Sequence, residues 1–382
     1  APSGRAEAGA SALAGWPALW QAVGMSRCRA AALAFVLALG LASGAGAWDW
    51  SGPADDPFQA MLSHLPALMV QPGIARAEIG FADLAAARGI EPGGEARHPR
   101  ALRVLMRALP PSRLGQELSL GGESWRGGVG FVPGDIAQLL LFDAPPIGAS
   151  VMALNPGAAA AIPAALAANG YGEAQSFGVS AWTRGEDGRI DLNARSRDDP
   201  FRGLLGRSAR IALDGDLLRH ATTWPLLAGL VQADRAPATD DPGLAALLAA
   251  LVPPAESGPL LRAYLLPDAS GLASGLRSAL LADYSTGPQS TALMVLAFDS
   301  AADLTAELVA QRWATVPGQA GDSYASRLGA TPALAVQRAG DGLTLSLTLT
   351  LPTATLRHGG ATNPAFDALY QAITRRDLVF LP

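Results

Sequence analysis

The sequence predicts an α+β protein of two tandem related domains, each a small sheet covered by helices, closed by a C-terminal helix. Three observations predict it. The length, 382 residues, corresponds to about two domains at roughly 100–200 residues each. Two stretches, 151–171 and 293–313, share seven residues at an offset of 142, among them Met152/Met294, Leu154/Leu296 and Ala164/Ala306. Short apolar runs then alternate with Ala-rich helical patterns and with Asp-Gly or Gly-Asp-Gly turns, the punctuation of mixed helix and strand.

Taken in order, residues 1–24 precede Met25 and read as a spurious or upstream leader, set aside from fold reasoning. Residues 25–47 read as a signal peptide: Arg27 and Arg29, an apolar run from Ala30 to Ala42, then Ala45-Gly46-Ala47 as a cleavage pattern. That run is too short to span a bilayer, which takes roughly 20 apolar residues. Cleavage near Ala47 would place the mature chain in the periplasm or outside the cell. Residues 48–69 form an N-terminal tail and helix, starting at Trp48 and Trp50. An ordered tail needs a surface to dock on, so these two tryptophans are the partner-binding candidates.

Residues 70–235 are the first repeat domain and 236–360 the second, divided at the polar, Pro-rich stretch Gln232–Asp241. Two Pro-bounded helices, 99–111 and 242–254, look alike. In the first domain a strand at 128–132 feeds a helix at 134–142. In the second, 261–266 feeds a helix near 268–281. A strand and a helix follow in each, at 149–154 and 157–169, then at 291–298 and 300–313. Each domain closes with a hairpin, 208–213 with 216–221 and 333–338 with 343–351. In the last, threonines and serine alternate with Leu343, Leu345, Leu347, Leu349 and Leu351, giving one wet and one buried face. An extra hairpin is expected in the first domain only, 178–183 with 189–193 around Asp187-Gly188. Residues 361–382 form the C-terminal helix and tail, with Asn363 as cap, Pro364 at the first position and Phe366, Leu369, Tyr370 and Ile373 as the apolar face.

Composition narrows the chemistry. All 28 basic residues are arginine, which removes the P-loop lysine, Schiff-base lysines and Ser-Lys dyads. The one cysteine, Cys28, lies in the expected signal peptide, so the mature chain would have no cross-links. The net charge is −5; residues 1–47 carry +2, which leaves −7 for the rest. That balance argues against nucleic acid and polybasic attraction to membranes, and no later apolar run reaches spanning length.

No two of His64, His98, His220 and His358 fall within four residues of each other, so no local zinc pair exists. There is no G-x-S-x-G elbow; Ser180 sits before Trp182 in a strand pattern. The acidic pairs Asp55-Asp56, Asp198-Asp199 and Asp240-Asp241 each precede proline, the pattern of a helix cap rather than of acid–base work. Glycine pairs around Trp125 lack the dinucleotide pattern. Trp125, Trp182, Trp224 and Trp313 are scattered and read as core or rim.

The sequence therefore assigns no catalytic, metal-binding or cofactor-binding residue and no cofactor, and it points away from an enzyme. The expectation is an exported, non-enzymatic interaction or accessory protein with an envelope protein partner. Two alternatives remain: a small-molecule or lipid binder using an apolar inter-domain pocket, and a hydrolase with unrecognised carboxylate or serine chemistry.

Overall fold

The structure, a computed structural model, describes residues 56–71, 77–90, 107–110, 122–299, 304–339, 342–355 and 361–382. The two expected small sheets are one. Twelve strands join in a single antiparallel sheet of order β11-β12-β10-β9-β8-β1-β2-β3-β7-β6-β5-β4. In chain order these are β1 (Glu78–Asp83), β2 (Ile136–Ala144), β3 (Ile147–Leu154), β4 (Gly172–Ser176), β5 (Val179–Arg184), β6 (Ala209–Asp214), β7 (Leu217–Ala221), β8 (Leu260–Leu266), β9 (Leu276–Ser285), β10 (Gln289–Phe298), β11 (Ala333–Ala339) and β12 (Gly342–Pro352). The join is the β1·β8 ladder, Ile79↔Leu265 through Ala82↔Arg262.

The physical reason for the correction lies in these two strands. Both are almost wholly buried. Left at a rim, each would present unpaired backbone groups beside apolar side chains, the edge that proteins avoid. Paired with each other they remove both edges. On either side of the seam the strand order repeats: β1-β2-β3-β7-β6 on one side, β8-β9-β10-β12-β11 on the other, with β5 and β4 extending the first side only.

Two segments expected as helices are strands. Residues 136–144 form β2 and 276–285 form β9. Buried on both faces, they carry no alternation that marks a strand. The expected strand at 128–132 instead overlaps a helix, Ser124–Val129, ended by Gly130 at φ 89°. Residues 99–106 lie outside the described residues. Arg107–Pro110 follow β1 in the chain, whereas the helix Pro242–Ala249 precedes β8.

Helices cover both faces. They are α1 (Pro57–Leu62), α2 (Leu84–Gly89), α3 (Ser124–Val129), α4 (Ile162–Ala168), α5 (Trp224–Val231), α6 (Pro242–Ala249), α7 (Ala306–Thr315), α8 (Tyr324–Leu328) and α9 (Pro364–Thr374). Three acidic or amide residues before proline cap as the sequence indicated: Asp56 on α1, Asp241 on α6 and Asn363 on α9. On one face a continuous core runs across the seam, from Phe58, Met61 and Phe81 through Leu140 and Phe142 to Leu265, Leu280 and Val295, beneath α1, α5 and α6. The opposite face carries two separate cores. One, around Trp125, Phe131 and Leu166, lies under α2 to α4; the other, around Trp313, Tyr324 and Phe380, lies under α7 to α9.

Candidate functional site

The outer end of the first side is where the sheet outruns its helices. Strands β4 and β5 form a hairpin whose turn is Phe177-Gly178, both at positive φ (51° and 74°). That is the geometry of a two-residue type I′ turn. It places the extra hairpin at 172–184, not around Asp187-Gly188. Asp187 instead accepts from the Trp224 amide at 3.0 Å and pairs with Arg210 at 2.7 Å. Phe177 holds a conformation usual for Gly or Asn, with its ring packed on the large core.

Cross-strand register puts Glu173, Trp182 and Ile211 in one row on the face toward α4. The β5·β6 ladder runs from Arg184↔Ala209 to Trp182↔Ile211 and stops there. Ser180 and Ala181 on one strand, and Ala212 and Leu213 on the other, border a groove of about 510 Å³ between this sheet end and Pro163 of α4. Its floor is apolar: half-buried Trp182, buried Ile211, half-buried Leu213. Its outer wall is β4, with Glu173 and Gln175 exposed.

Among the described residues, strand β4 is an unpaired edge. In an antiparallel ladder, hydrogen-bonded and non-bonded pairs alternate. The residues flanking a two-residue turn, Ser176 and Val179, are a bonded pair. Ala174 and Gly172 therefore also bond inward to β5. The N–H and C=O groups of Glu173 and Gln175 point outward, on the same residues whose side chains wall the groove. The strand has no proline, no bulge and no lysine, the devices that blunt edges elsewhere.

Three other polar clusters are built for structure. Asp283, fully buried, accepts from Arg107 Nη2 at 2.8 Å, Arg262 Nε at 3.1 Å and Asn363 Nδ2 at 2.8 Å. Arg262 also reaches Asp367 at 3.2 Å and lies 3.8 Å over the Phe366 ring. Tyr171 donates to Asp199 at 2.9 Å, and Asp199 also accepts from the amides of Phe201 and Arg202. Burial raises the Asp199 carboxyl above its usual range, against those hydrogen bonds. Ser150 Oγ and His220 Nδ1 are 3.3 Å apart. Burial, and then the Arg207 and Arg210 charges, lower His220 to about 3, so the ring is neutral at pH 7. With 1% of Ser150 and 5% of His220 exposed, this pair lacks the access to substrate that a nucleophile needs.

Across β1 and β2, Glu78 faces Asp143. Burial raises Glu78, the Tyr264 hydroxyl lowers it and Asp143 raises it. Nothing local in the sequence announced this pair, because the register of two strands far apart in the chain creates it. The sequence did single out Trp182 and Ser180 without joining them to a site; the alternation of Glu173 and Gln175 opposite them was the available signal.

The partner-binding candidates Trp48 and Trp50 lie outside the described residues, as do His98 and His358. His64 and His220 are both buried and belong to separate surroundings. Among the described residues no group of three His, Cys, Asp or Glu is placed to hold a metal ion. No described helix is long and apolar enough to cross a membrane.

The chain matches no protein-family profile, and no curated protein matches it. Among solved structures it is similar to TP0453. Crystal form III is 9% identical at a TM-score of 0.37, covering 74% of this chain and 93% of that one. Crystal form I is 8% identical at 0.37, covering 75% and 92%. A likeness this faint assigns no role.

Proposed function

We propose that the chain is an exported, non-enzymatic accessory protein that holds an envelope protein partner at the β4 end of its sheet. The single observation that carries this reading is the coincidence, among the described residues, of an unpaired sheet edge with an open, Trp-floored groove on the same residues. Edges supply backbone hydrogen bonds, and adjoining pockets supply selection among side chains. The signal pattern at 25–47 supports export.

The test is a photo-crosslinking side chain placed at Gln175 in the full chain, in its native cells. One envelope protein captured at Gln175, and absent from a control placed at exposed Gln371 on α9, is the expected result. Identical adducts from both positions, or none from Gln175, would overturn the reading.

A second reading, a small-molecule binder, rests on the size of the same groove, which falls within the roughly 300–1,000 Å³ of ligand sites. This reading takes the β4 groove in place of an inter-domain pocket, since the described residues fill the seam between the two sides with the β1·β8 ladder and with Pro110 against Gly80. Native mass spectrometry of freshly isolated protein tests it. A mass equal to bare polypeptide in every preparation rejects it.

A further inference from the structure

Resting on the partner reading above, we infer that the site receives its partner as an added strand: an extended segment with a basic side chain pairs with β4 as a thirteenth strand. Four observations carry this.

Geometry comes first. Glu173 and Gln175 each turn both backbone groups outward, so a residue opposite either one forms a two-bond pair. The same two residues carry their side chains on the Trp182 face. An incoming residue opposite Glu173 therefore brings its own side chain to that face while its N–H is committed to β4.

Charge comes second. Glu173 is exposed and has no ion pair among the described residues. A cross-strand cation is its natural complement. Reach comes third. Trp182 is the direct partner of Glu173 on the inner side, two strand spacings or about 9.6 Å from the new strand. An arginine or lysine stem spans much of that distance, and its cationic head interacts favourably with an indole face. Symmetry comes fourth, as an exclusion. Two copies of β4 paired antiparallel would set Glu173 against Gln175 or against another Glu173, with no cation on either strand. The partner is therefore not a second β4.

The probe is a fluorescein-labelled peptide of about eight residues alternating valine with arginine, long enough for a typical strand. It is compared with two analogues of equal charge, one N-methylated at the arginines and one at the valines. Anisotropy with the full chain should show binding by the parent peptide and by the valine-methylated form. Arginine methylation removes the N–H groups that face β4, and should weaken binding roughly tenfold or more. Glu173→Arg should weaken the parent roughly fivefold. Gln175→Pro should abolish binding while leaving the β4·β5 ladder intact, because that N–H points outward and proline is tolerated on edges.

Equal effects of the two methylation patterns would mean attraction by charge alone and would overturn the inference. So would no binding by the parent, or binding that survives Gln175→Pro. A dimer of the chain alone that Gln175→Pro dissolves would put a second copy in the site and overturn it as well. If a native partner still crosslinks at Gln175 while the methylated peptides bind alike, strand addition fails and the accessory reading stands.

Discussion

Arg262–Asp283 and Glu78–Asp143 occupy matching places on the two sides of the seam. Gly80 faces Tyr264 at its centre, and two residues further along each strand the cross-strand pair appears: Glu78↔Asp143 on β1·β2, Arg262↔Asp283 on β8·β9. The second side fills the place with opposite charges, and Arg107 and Asn363 complete a buried lock. The first side fills it with two carboxyls, and Glu78 is raised above its usual range, by burial first and by Asp143 in smaller part. The outer ends differ in the same sense. On the second side Trp313 packs against Tyr324 and Phe380, at 4.9 and 5.3 Å between ring centres, and the C-terminal residues close over it. On the first side Trp182 floors an open groove. One strand plan thus supports a side whose outer tryptophan is enclosed and a side whose outer tryptophan lies open, although both end strands, β11 and β4, lack a further strand among the described residues.

The largest test of this contrast is Trp313→Ala. It empties a fully buried site and should cost about 3–5 kcal/mol, read as a drop in urea midpoint. Asp283→Asn leaves two buried guanidinium groups under-compensated. It should cost about 3 kcal/mol, at the lower end for a broken buried pair because the amide keeps an acceptor. Trp182→Ala should cost about 1 kcal/mol, since its ring is only half-buried. Equal losses for Trp182→Ala and Trp313→Ala would erase the distinction between open and closed ends.

Smaller effects come from protons. Glu78 has a folded pKa above its unfolded value, so its ionisation removes stability as pH rises above about 4.5. Glu78→Gln should therefore raise the denaturation midpoint at pH 7 and have no effect near pH 4. A loss at pH 7 would mean the carboxylate is a structural anion after all. His64, lowered to about 4, and His220, lowered to about 3, work in the other direction. Unfolding lets each take up a proton below about pH 6.5, so their contribution is complete above that value and is lost as the pH falls toward 4. His220→Asn should flatten the midpoint between pH 6.5 and 4.5. An unchanged slope would remove His220 from the account.

Local chemistry was legible in the sequence wherever a residue acts on its own turn. Asp56, Asp241 and Asn363 cap helices as their proline neighbours indicated, and the β6–β7 and β11–β12 hairpins follow their turn residues and alternation. Legibility failed where the partner is remote. Strands β2 and β9 are apolar on both faces and so resemble helix as much as strand. The β1·β8 join has no local signature. The turn at Phe177-Gly178 was hidden because an aromatic occupies a glycine-like conformation, while Asp187-Gly188 offered the stronger but misleading signal. The groove inherits that obscurity, since its wall and floor exist only once β4 is placed.

The seam also sets a timetable. Ile79 must wait for Leu265, 186 residues later, before its outer flank is covered. A ribosome finishes β1 far ahead of β8 and β7 only shortly before it, and contacts so distant in sequence as β1·β8 make slow folders. The nascent first side therefore passes through an interval with an apolar strand uncovered at the middle of its future sheet. That is the species a chaperone would need to shield, and it disappears with the arrival of one seven-residue strand.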